Sequence, residues 1–84
     1  MRHGVAILDC GRKAVTIYST GRVYEGVWSE AFSRAKAIDL IARGGWREAP
    51  GEDPETWTVS PADNGFRINV IHDPVSVAAR LALR

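Results

Sequence analysis

A period of two runs through most of this chain, and that is the spacing of strands, whose neighbouring side chains point to opposite faces. Five short segments carry it: Gly4 to Asp9 (GVAILD), Ala14 to Ser19 (AVTIYS), Arg22 to Trp28 (RVYEGVW), Glu55 to Ser60 (ETWTVS) and Phe66 to His72 (FRINVIH). One capped helical pattern lies between the third and the fourth, and a second, shorter one follows the fifth. With 84 residues, 45% of them hydrophobic and 25% charged, the chain suffices for one core without metal or disulfide staples. The expected fold is a single α+β domain over residues 1–84. Its order is strand–strand–strand–helix–strand–strand–helix, with an antiparallel sheet of four to five strands, one main helix on one face and a short C-terminal helix.

The turns set the register. Cys10-Gly11-Arg12-Lys13 ends the first strand, and Ser19-Thr20-Gly21 joins the second and third. A three-residue loop with glycine last suits a hairpin whose final turn residue needs positive φ. It pairs Tyr18 with Arg22. Val15, Ile17, Val23 and Val27 then share a core face, while Thr16, Tyr18, Arg22, Tyr24 and Trp28 share the outer one. A two-residue loop would pair Ile17 with Tyr24 instead and mix the two sets.

Ser29 reads as the N-cap of the main helix, with Glu30 at its positive end and a stop at Gly44-Gly45 after Arg43. Ala31, Phe32, Ala35, Ile38, Ile41 and Ala42 make its buried side; Ser33, Lys36 and Arg43 face water. Trp46 to Thr56 (WREAPGEDPET) is the most polar stretch and is expected to be a mobile loop. The last two strands form a hairpin through Pro61-Ala62-Asp63-Asn64-Gly65. Asp73-Pro74 then caps the final helix. Val75, Val77, Ala78, Ala79, Leu81, Ala82 and Leu83 make that helix apolar on more than one side, which suggests a homodimer formed through it.

No segment carries a nucleophile–base pair, a phosphate loop or a metal-ligand spacing, so neither an enzyme nor a cofactor is expected. The single cysteine, Cys10, excludes an internal disulfide framework and a cysteine-rich zinc site. Arg12 and Lys13 beside it would favour a thiolate, yet His3 and His72 are both distant in sequence, and a semi-buried strand-end thiol accounts for the residue. In His72-Asp73, the aspartate serves as a helix cap. No apolar run approaches the roughly 20 residues that span a bilayer, and the chain shows no signal-peptide pattern. A bacterial cytoplasm suits a chain that depends on no oxidation.

Net charge is +1, too small for strong non-specific attraction to nucleic acid. Attention therefore falls on patches. Tyr18, Arg22, Tyr24 and Trp28 would form an aromatic stripe on the outer face of the first hairpin, with Arg12 and Lys13 adding charge at one end. Tyr, Trp and Arg are the residues that dominate interface energetics. Such a face also suits stacked single-stranded bases, which makes a small nucleic-acid-binding module the rival reading. The bland alternative is that helices cover the face and the aromatics are core. A second candidate is the acidic run Glu48, Glu52, Asp53 and Glu55, able to imitate phosphates before a basic partner, though usually such a run is a solvated loop.

In size, element order and lack of a catalytic set, the whole chain resembles the small phage and mobile-element proteins that inhibit a host machine by binding it, of which anti-CRISPR proteins are the best-known group. The resemblance implies a non-enzymatic inhibitor that binds a larger protein or ribonucleoprotein complex and blocks the DNA-binding or nuclease-recruiting surface of a CRISPR effector. It carries no motif, so it assigns no residue.

Overall fold

Three long strands build the centre of the sheet. A computed structural model of the chain describes residues 2–53, 55, 57–60 and 64–83. In chain order the elements are β1 (Arg2–Asp9), β2 (Ala14–Ser19), β3 (Gly21–Val27), α1 (Arg34–Arg43), β4 (Trp46–Glu48), β5 (Thr58–Ser60), β6 (Gly65–His72) and α2 (Pro74–Ala82). The sheet order is β3-β2-β1-β6-β4, with β5 also on β6, and every pairing is antiparallel. The first strand is thus central. The α+β fold with two helices stands as the alternation predicts, and the second hairpin forms with Val59 opposite Phe66.

Three expectations need correction. Trp46 to Glu48 is not loop: it pairs with Val70 to His72, and Trp46 is only 3% exposed. Its large apolar ring outweighs the polar residues after it. Pro54, Thr56 and Pro61 to Asp63 lie outside the described residues. The main helix starts four residues late, because Ser33 and not Ser29 is its N-cap, accepting from the Lys36 N–H at 3.1 Å. Its buried residues are Ala37, Leu40 and Ile41, whereas Ala31 and Ala35 are exposed. The third error concerns β3. Tyr18 does face Arg22, and Gly21 takes φ +86° as the turn requires. The register then shifts between Ile17 and Tyr18, so that Val23 is an extra residue and Ile17 faces Tyr24. A bulge of this kind changes which face the rest of the strand presents.

The face toward α1 therefore carries two cross-strand rows, Phe66–Leu8–Val15–Gly26 and Ile68–Ala6–Ile17–Tyr24. With Ile41, Val70, Trp46 and Trp57 they make the core. The C-terminal end of β1 approaches β6 closely at Gly65, where a Cβ would sit 1.7 Å from the Leu8 carbonyl oxygen. Only glycine fits there. α2 lies beside α1 near β4. Asp73 caps it as expected: Oδ1 accepts from the Ser76 N–H at 3.3 Å and Oδ2 from Arg47 Nε at 3.1 Å.

Candidate interaction surface

The face of the sheet turned away from the helices reads out as three rows: Gly65–Asp9–Ala14–Val27, Arg67–Ile7–Thr16–Glu25 and Asn69–Val5–Tyr18–Arg22. Val27 is 70% exposed and Tyr18 47%, and Arg22, Glu25, Arg67 and Asn69 are exposed as well. Ile7, Thr16, Tyr18 and Val27 line a shallow depression of about 190 Å³, with Arg12 and Glu25 among its other lining residues. The surface is apolar in the middle and charged at both margins, the general anatomy of a contact patch. Asp9 at one end is already engaged, for its Oδ1 accepts the backbone N–H groups of Gly11 and Arg12 at 3.0 Å each. Arg22 Nη1 lies 3.3 Å from Glu25 Oε2 on the exposed surface, a pair of small energetic weight in water.

The bulge splits the expected aromatic stripe. Tyr18 and Arg22 remain on the open face, with Arg12 and Lys13 exposed in the turn at one end of it. Tyr24 and Trp28 turn to the helix side. The Tyr24 hydroxyl donates to the Leu40 carbonyl at 2.6 Å, and burial raises its pKa, an effect that Arg43 partly opposes. That carbonyl needs a donor because the last turn of α1 tightens: Gly44 N–H goes to Ile41 and Gly45 N–H to Ala42. Trp28 packs on Phe32 at 5.7 Å between ring centroids. Val5, Ile7, Val27 and Arg67 belong to the surface although no motif marks them. The available signal is that GVAILD is apolar at consecutive positions, so β1 has an apolar residue on both faces.

The acidic run does not form a free cluster. Glu52 Oε1 accepts the Asn69 N–H at 2.9 Å and Asp53 Oδ1 the Glu55 N–H at 3.0 Å. Glu48 is half-buried, and burial raises its pKa despite the nearby Arg80 guanidinium. Only Asp53 and Glu55 of the four are exposed. Cys10 is half-exposed, and burial followed by the charge of Asp9 raises its thiol pKa, the opposite of the direction expected from Arg12 and Lys13. The His72 ring packs on Trp46 at 4.9 Å. Among the described residues no group of three or more His, Cys, Asp and Glu side chains converges on a metal-sized site, and no helix is long and apolar enough to cross a membrane. On α2 only Val77 is buried, while Val75 (82%) and the C-cap residue Leu83 (88%) are largely exposed.

No protein-family model, curated protein or solved structure matches the chain. Function rests on the geometry alone.

Proposed function

We propose that this domain is a non-enzymatic protein-binding module that regulates or inhibits a larger complex, with inhibition of a CRISPR effector complex in the anti-CRISPR manner as its sharpest form. One observation supports it above the others: α1 packs on the core face of the sheet with α2 beside it, leaving Val5, Ile7, Tyr18 and Val27 on a face ringed by Arg12, Arg22, Glu25 and Arg67. Arg12, Lys13, Tyr18 and Arg22 act at that face. Tyr24 and Trp28 support it from behind, by fixing β3 against α1. The nucleic-acid alternative loses ground on the same geometry, because a base-stacking platform needs several outward aromatic rings and only Tyr18 remains.

The test is capture from a bacterial lysate, with and without nuclease, comparing the wild type with Tyr18→Glu. A protein complex retained after nuclease treatment and lost in Tyr18→Glu supports the proposal. Recovery of nucleic acid alone, released by nuclease and by raised salt, refutes it.

A further inference from the structure

We infer that the open face of the sheet is self-complementary and that, in the free protein, a second copy of this chain covers it. The inference rests on the open face being a contact surface, as proposed above. Consider a second copy turned about an axis parallel to the strands and laid face to face on the first. Position along the strands is kept and strand order is reversed, so each row meets its own reverse. In the middle row, Arg67 then lies over Glu25 of the second copy and Glu25 over its Arg67, with Ile7 and Thr16 over each other's counterparts between them. In the next row Arg22 meets Asn69 and Val5 meets Tyr18; in the remaining row Val27 meets Gly65 and Asp9 meets Ala14. No like charges face each other in any row.

The dimensions agree. Four strands and three same-face positions cover roughly 19 by 20 Å per copy, from strand spacings of about 4.8 Å and same-face steps of about 7 Å. With side-chain relief the two copies together bury on the order of 1,000 Å², the lower bound for a specific interface. Aligned sheets cross at about 30°, which displaces the corner residues by roughly 4–5 Å. Arg67 and Arg22 are long enough to span that offset. A dimer of this kind hides the surface that a larger partner would use, so the two associations exclude each other.

Sedimentation of the full chain at low salt, from about 10 μM to 1 mM, covers the affinities expected of so small an interface. A reversible monomer–dimer equilibrium is expected. Glu25→Arg and Arg67→Glu should each weaken it at least about tenfold, because each sets like charges face to face twice per dimer. The double charge swap should restore it. Leu83→Glu, at the C-cap of α2, should leave it unchanged. A monomer at every concentration overturns the inference. So do single swaps without effect, a double swap that stays monomeric, or a dimer lost in Leu83→Glu, which would put the interface on the C-terminal helix. Partner capture is scored separately, at concentrations where the wild type is monomeric. A chain that never dimerises but still loses its partner in Tyr18→Glu refutes the dimer and leaves the proposed function standing.

Discussion

Replacing Glu52 by alanine tests whether a side chain can stand in for a strand. The outer edge of β6 is covered in two pieces, β5 against Gly65 to Arg67 and β4 against Val70 to His72. Between them, among the described residues, Asn69 has no strand opposite on that side. Its carbonyl accepts the Ala49 N–H at 2.9 Å, and its N–H donates to Glu52 Oε1 at 2.9 Å. A carboxylate thus occupies the place of a backbone carbonyl. A hydrogen bond to a charged acceptor contributes about 1.5–3 kcal/mol where water is excluded. This one is at the surface, where water can replace the lost acceptor, so about 1 kcal/mol is the better figure. One opposing effect exists, because Glu52 also adds negative charge near Glu48. Glu52→Gln separates the two, since it removes the charge and keeps an acceptor oxygen. Thermal unfolding should show Glu52→Ala melting about 4–8 °C below the wild type, the shift expected per kcal/mol in a domain of this size. Glu52→Gln should lie much nearer the wild type. Hydrogen exchange gives the local readout: protection of the Asn69 amide should fall roughly fivefold in the alanine variant. Unchanged protection of that amide would refute the reasoning, whatever the melting temperature did.

Two further outcomes follow from the same packing. Tyr24→Phe keeps the ring against Gly44 and removes only the donor to the Leu40 carbonyl, so chemical denaturation should register a loss of about 1 kcal/mol; a neutral result would mean that water already serves that carbonyl. Glu48 has a folded-state pKa above the ordinary 4.5, so the folded state binds its proton more tightly and stability falls as pH rises through that window. Glu48→Gln should therefore flatten this part of the stability–pH profile and gain on the wild type toward neutral pH, and an unaltered profile would show that Arg80 offsets the burial.

The fold was legible where local and tertiary preferences agree. Gly21 supplies the positive φ its turn needs, Asp73-Pro74 supplies both cap and first helical residue, and Phe66, Ile68 and Val70 alternate with exposed Arg67 and Asn69 because their side of β6 is core. It was illegible where a long-range contact overrides a local signal. Ser29 and Ser33 are equally good caps by residue type, and the choice falls to Ser33 because Trp28 and Phe32 are held against the core before the helix begins. Trp46 was hidden among turn residues since only β6, distant in sequence, gives it a strand to pair with. The expected aromatic stripe is divided between the two faces for a similar reason. Tyr18 and Arg22 follow from the turn, whereas the inward placement of Tyr24 is decided by a helix carbonyl that no alternation rule can see.

The way the sheet ends on its two sides also bears on how copies of this domain can aggregate. Runaway polymerisation of β proteins starts at long, regular edge strands with free main-chain groups. Here one edge is tiled by β4, β5 and the Glu52 carboxylate, and the other, β3, is broken at Val23 and carries Arg22 and Glu25. Neither offers the flat template that a fibril extends. Association is left to the broad faces, which stack in a closed pair and then stop, so a concentrated solution of this domain should form discrete particles rather than filaments.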